Sequence, residues 1–168
     1  MAAFKNAGFA FSSSSSSSNY EVFLGFHGED THTNFTNHLY HALDDAEINT
    51  FRDNEEFPIG KNIGPELIIA IEQSRISIPI FSENYASSKW CLIEITRILE
   101  CKNTMGQMVL PIFYNIEPSV VRNQTESYAK AFEKHQTYFH HKTVQKWKEA
   151  LREVGSLKGW DSKSAANG

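Results

Sequence analysis

The sequence predicts an α/β domain built on a flavodoxin-like, doubly wound parallel sheet of strand order 2-1-3-4-5. Three observations carry this. Short β-branched and aromatic runs alternate with segments of helical period. The run Ile76-Ser77-Ile78-Pro79-Ile80-Phe81 is apolar enough for a strand buried on both faces. A chain of 168 residues that is 40 % apolar and 12 % aromatic can bury one sizeable core and not two.

The elements follow in order. Tyr20 to Phe26 is a β-rich run closed by His27-Gly28-Glu29-Asp30, hence a first strand and its loop. From a threonine cap at Thr31, the apolar positions Phe35, Leu39, Ala42, Leu43 and Ala46 repeat at helical spacing. Ile48 to Arg52 is a short second strand, and Asp53 to Asn62, with Pro58 and Gly60, is a loop without period. Gly64-Pro65 opens a second helix. In the third strand, Pro79 removes one ladder donor and calls for an edge or a bulge nearby. A third helix is predicted over Ser88 to Lys102, a fourth strand over Met108 to Tyr114, and helical stretches over Val120 to His135 and Thr143 to Val154. Leu157-Lys158-Gly159-Trp160 is a candidate fifth strand. Residues 1–19, with seven consecutive serines, read as a disordered leader, and residues 162–168 as a disordered tail.

Composition excludes several functions. A net charge of −4 gives no basic footprint for a nucleic acid, and no apolar run reaches the roughly 18 residues of a membrane span. Cys91 and Cys101 lack metal-ligand spacing and read as reduced core thiols; His38 and His41 read as a solvent-facing stripe, so no metal is expected. A phospho-receiver needs an aspartate after the third strand, where the chain has Phe81-Ser82. The acidic loop after the first strand likewise argues against a phosphate cradle or a flavin carrier.

Parallel sheets take ligands at the carboxyl ends of their strands, near the point where strand order reverses. Glu94 is the most informative residue there, a carboxylate set among Cys91, Ile93, Ile95 and Ile98. Spacing alone reads it either as an acid tuned for chemistry or, more simply, as an ion pair with Arg97. Trp90 and Cys91 open the same helix, the indole serving as a core anchor or a stacking surface. The acid-rich segment Glu21 to Glu56 and the basic segment Lys142 to Lys158 offer opposed charges for self-association.

Together the motifs resemble the plant branch of the Toll/interleukin-1 receptor (TIR) domain family, found at the N-termini of intracellular immune receptors of TIR-NBS-LRR type. The resemblance covers 20–161 and rests on Tyr20 to Thr31, Thr50 to Asp53, Phe81 to Ile95, Leu110 to Tyr114 with Pro118 to Arg122, and Leu157 to Trp160. It implies defence signalling by self-association in the cytoplasm, with the nucleus as a second setting. It also implies cleavage of NAD+, as substrate and not cofactor, at the nicotinamide–ribose bond. The catalytic glutamate of the family falls on Glu94. Phe26, His27 and Gly28 then line the nucleotide pocket, Ser88, Trp90 and Cys91 flank it, and the loop Asp53 to Ile63 with Lys61 gates it. Asn37 and His38 mark one self-association surface, and Lys158, Gly159 and Trp160 the other; other TIR domains and full-length receptors are the partners implied. The chain departs from the family in carrying Gly25 and His27 where serine and arginine are usual, and in ending where a last amphipathic helix is expected. The alternative to an enzyme is a non-catalytic module that binds other TIR domains.

Overall fold

The computed structural model describes residues 20–31, 35–52 and 63–167. The expected leader, the loop 53–62 with Lys61, and Gly168 lie outside them. The strands are β1 (Val22–Gly25), β2 (Thr50–Arg52), β3 (Ile76–Phe81), β4 (Met108–Val109), β5 (Ile112–Phe113) and β6 (Trp160–Asp161). The helices are α1 (Gly28–Thr31), α2 (Phe35–Asp45), α3 (Ile63–Gln73), α4 (Lys89–Met105), α5 (Pro118–Asn123), α6 (Glu126–Tyr138), α7 (His141–Val154) and α8 (Ser162–Asn167). A 3-10 turn over Tyr85–Ser87 precedes α4.

All pairings are parallel, in the order β2-β1-β3-β5-β6, with β4 also paired to β3. This is the predicted order with the fourth strand in two pieces. The break falls at Leu110-Pro111, directly opposite Ile78-Pro79, so two prolines face each other where the ladder lapses. Neither proline has an N–H to give, which is the physical reason for the interruption that Pro79 demanded.

The registers sort the sheet residues onto two faces. Phe23, Phe81, Val109 and Phe113 join the main core, which packs under α3, α4 and α7 with Leu67, Ile71, Leu92, Ile95, Trp147 and Leu151. Cys91 and Cys101 are free thiols buried in it, as the sequence suggested. Val22, Leu24, Ile76, Ile78, Ile80, Met108 and Ile112 alternate onto the opposite face, where α2 lies.

Four expectations need correction. Thr31 is itself helical, in a span over Gly28–Thr31, so it is not the cap that precedes the helix, and the span carrying Phe35 is described from Phe35 to Asp45. The stretch Val120 to His135 is two helices, because Gln124 turns left-handed at φ 52° and its side-chain amide donates to the carbonyls of Val121, Arg122 and Lys148. The fifth strand starts at Trp160, not Leu157, since Gly159 passes so close to Pro111 that a Cβ would lie 2.1 Å from its carbonyl oxygen. The expected disordered tail is helical over Ser162–Asn167, capped by Asp161, whose carboxylate accepts from the Lys163 amide at 3.0 Å.

Candidate active site at the carboxyl end of the central strands

β1 delivers Phe26, His27 and Gly28 to the carboxyl end of the sheet, and α4 brings Glu94 over them. Ser88 ends the 3-10 turn in an extended conformation and caps α4, its hydroxyl accepting from the Cys91 amide at 3.3 Å. The Cys91 thiol in turn donates to the Phe26 carbonyl at 3.6 Å, tying the helix start to the strand end. One turn further on, Glu94 is 0 % exposed. A Cβ built at Gly25 would sit 3.1 Å from Glu94 Oε1, so the carboxylate lies against the backbone of β1.

The rim ion pair suggested by spacing is not formed. Arg97 pairs instead with Glu100, at 2.8 Å, and with Glu72 on α3. Those two carboxylates raise the Arg97 guanidinium further above its already high value. Glu94 is left on the inward side of the helix, facing the strand end.

Of the other predicted pocket residues, Phe26 and Cys91 are buried, and His27, Gly28, Ser88 and Trp90 half-buried. Trp90 packs against the core and carries the Lys89 ammonium 5.1 Å over its ring, so the indole anchors more than it stacks. The structure thus gathers Phe26, Ser88, Cys91 and Glu94 at one strand end.

Sequence reasoning missed the residue that fastens this mouth. Asp30 accepts from the Ser82 hydroxyl at 2.5 Å, the Asn84 amide at 2.8 Å and the Asn84 side chain at 3.0 Å. His27 Nδ1 lies 3.8 Å from the same carboxylate. Burial pushes the Asp30 carboxyl up, but these donors and the neighbouring imidazole more than offset it and hold it below the usual range. The loop after β1 is therefore clamped to the loop after β3. The available signal was an acid after one strand and Ser-x-Asn after another, meaningful only once those strands are adjacent. Tyr128 of α6 secures the second loop from behind, donating to the Ser82 carbonyl at 2.8 Å. Burial holds its phenol well above the usual value, so the donor stays protonated.

A groove of about 1080 Å³ does not contain Glu94. It lies one strand over, between Asn84 and Ser87, Asn115 and Glu117, and Lys130 and Lys134 of α6, and shares the 84–87 wall with the Glu94 mouth. Among the described residues no group of His, Cys, Asp and Glu has metal-holding geometry, and no helix is long and apolar enough to cross a membrane.

Of the two predicted association surfaces, one lies on α2 and the other at the start of β6. Asn37 is half-buried and accepts from the Arg52 guanidinium at 3.0 Å, tying α2 to β2, whereas His38 is exposed. Lys158, Gly159 and Trp160 are exposed, yet the Trp160 ring stacks on Phe35 at the start of α2, with centroids 5.8 Å apart.

Comparison with known proteins gives the same picture. The family model described as TIR domain matches residues 19–168. The chain is 52 % identical over 152 residues to TMV resistance protein N of Nicotiana glutinosa, covering 89 % of this chain and 13 % of that protein. It is 49 % identical over 141 residues to disease resistance protein RPV1 of Vitis rotundifolia, covering 84 % and 10 %. With disease resistance protein RPP5 of Arabidopsis thaliana it shares 45 % identity over 162 residues, covering 94 % and 11 %. The chain therefore spans about a tenth of the length of these relatives. Among solved structures it is similar to the TIR domains of the activated Roq1 resistosome, at a TM-score of 0.81 and 43 % identity, covering 89 % of this chain and 92 % of that one. On sequence and sheet order alike, the chain belongs to the TIR domain family.

Proposed function

We propose that this TIR domain cleaves NAD+ at the nicotinamide–ribose bond in defence signalling, with Glu94 as its catalytic carboxylate. The observation that supports this most is a fully buried carboxylate set against the carboxyl end of β1, where parallel sheets take ligands.

Nicotinamide departs as a neutral molecule from a cationic pyridinium, so its leaving needs no proton donor. The N-glycosidic bond breaks with its electron pair moving to the nicotinamide nitrogen, and positive charge develops on the ribose. A carboxylate shielded from water stabilises that charge more strongly than one in solvent. Glu94 then orients the attacking water and takes its proton, leaving ADP-ribose, and passes the proton to solvent. Phe26, His27 and Gly28 supply the floor on the β1 side, Ser88 and Cys91 fix the helix start, and Asp30 holds the two loops in register.

Full burial of Glu94 also supports an activity that depends on assembly, in which neighbouring TIR domains open or complete the mouth. The resemblance to TIR domains from an activated resistosome supports the same reading, with other TIR domains and longer TIR-type receptors as partners. The test is nicotinamide release followed against protein concentration. The wild-type rate should rise more steeply than linearly, and Glu94→Gln should lose about 10²-fold or more with its melting curve intact. Equal release by that variant would sink the assignment.

One observation favours a second reading, a non-catalytic module that only binds other TIR domains: the Glu94 carboxylate has no exposure. That reading requires no turnover at any protein concentration while capture of a second TIR domain persists.

A further inference from the structure

The helix α6 reaches the turn in front of α4 through a row of side chains. Its buried stripe is Tyr128, Phe132 and His135, at i, i+4 and i+7. Tyr128 and His135 bring polar atoms into this contact, and each bonds a main-chain carbonyl of the loop after β3. Tyr128 Oη donates to Ser82 at 2.8 Å and His135 Nε2 to Ala86 at 2.8 Å, while Ser127 Oγ beside them donates to Glu83 at 2.9 Å. A carbonyl only accepts, so His135 carries a proton on Nε2.

An imidazole is a poor filler for a position that needs only apolar bulk. His135 is 8 % exposed, and its ring stands edge-on to Phe132, Phe139 and Trp147, with centroids 5.4 to 5.8 Å away. Burial there costs free energy that a phenylalanine would not lose, unless the N–H has a partner. Ala86 is that partner, and the three rings pack round the imidazole and hold it on the carbonyl.

What the turn holds in its own right is Cys91. Ala86 is in the 3-10 turn Tyr85–Ser87, and residues on either side of it grip one position of α4. Ser88 Oγ accepts from the Cys91 amide at 3.3 Å, and Tyr85 Oη donates to the Cys91 carbonyl at 3.3 Å. Glu94 follows Cys91 by three residues, close to one turn of helix, and both are buried. A series of hydrogen bonds and one helical turn thus runs from α6 through Ala86 and Cys91 to the carboxylate.

We propose that His135, with Tyr128, positions Glu94 for NAD+ cleavage: by holding the loop after β3 the two side chains set the start of α4, and so the aim of the carboxylate, without touching substrate. This rests on the reading of Glu94 given above.

The test compares NAD+ turnover by the whole chain with that of two variants. His135→Phe keeps a ring among the three aromatics and removes the donor, whereas the carboxamide of His135→Gln can donate to the same carbonyl. In His135→Phe, kcat should fall about tenfold with KM within about twofold of wild type, because Glu94 acts on charge that develops only in the transition state. His135→Gln should recover about a third or more of the wild-type kcat. By amide hydrogen exchange, Ser88, Cys91 and Leu92 should open about tenfold faster in His135→Phe, while the β1 amides keep their rates. Wild-type kcat in His135→Phe, no recovery in His135→Gln, or unchanged exchange from Ser88 to Leu92 would overturn the proposal. Should His135→Phe not fold, Tyr128→Phe carries the test, since it deletes one hydroxyl of the same row and keeps the ring. It should lower kcat and speed the same amides, and wild-type values of both would overturn the proposal. Glu94→Gln in the same assay separates the two readings. Full activity there removes the catalytic assignment and this one with it, whereas an inactive Glu94→Gln beside a fully active His135→Phe overturns this one alone.

Discussion

Gly25 is the residue on which the geometry of Glu94 turns. Its Cα faces the carboxylate so closely that an added Cβ would lie 3.1 Å from Glu94 Oε1 and 3.3 Å from the Phe23 ring. Gly25→Ala should force Glu94 aside by a few tenths of an ångström, costing about 1 kcal/mol in a urea titration. Turnover should suffer more than stability does, which parallel assays of the purified variant would show. Asp30 makes a second prediction, through pH. A carboxyl that ionises more readily in the folded chain stabilises it above the unfolded value of about 3.9, and that contribution is lost as pH falls through its lower folded value. Wild type should therefore lose stability below about pH 4, while Asp30→Asn starts weaker at neutral pH and falls less on acidification. Urea midpoints across the acid range decide it; identical slopes would mean that the clamp does not depend on ionisation.

At the scale of elements, α4 is positioned from both ends of the turn that precedes it. His135 of α6, buried among Phe132, Phe139 and Trp147, bonds through Nε2 to the Ala86 carbonyl at 2.8 Å, and Ser88 caps the helix two residues on. Ser88→Ala should cost about 1 kcal/mol in chemical denaturation. Activity should drop further if the cap also aims Glu94. These positions also show what a sequence discloses. The third strand was legible because it is apolar on both faces, and the α4 start because Ser88 precedes a helical run. The broken fourth strand was half legible, since Pro79 announced a missing donor but only the register sets Pro111 opposite it. The Asp30 clamp was not legible, because its partners lie more than fifty positions away and become neighbours only through β1–β3 pairing. The separation of α5 from α6 was hidden for another reason: Gln124 adopts a left-handed conformation without being glycine, held there by carbonyls from two helices.

For the whole molecule, the two faces of the sheet divide the labour. One face carries the main core and the carboxylate; the other is covered by α2 in part and presents Met108, Leu110 and Trp160 to solvent. The stack of Tyr114, Phe35 and Trp160 links the two predicted association surfaces, so a change at Trp160 also bears on how α2 sits.

The position of β1 in the sheet has a consequence for biosynthesis. Val22 pairs on one side with Thr50 and on the other with Ile76, so among the described strands the central β1 is made before both of its neighbours. At translation speeds of about 5–20 residues per second, Val22-Phe23-Leu24 waits for several seconds before both neighbours exist. A nascent chain in that interval presents an uncovered apolar strand to chaperones, and ribosome-bound chains halted before Ile76 should be captured by them far more than chains halted after Phe81.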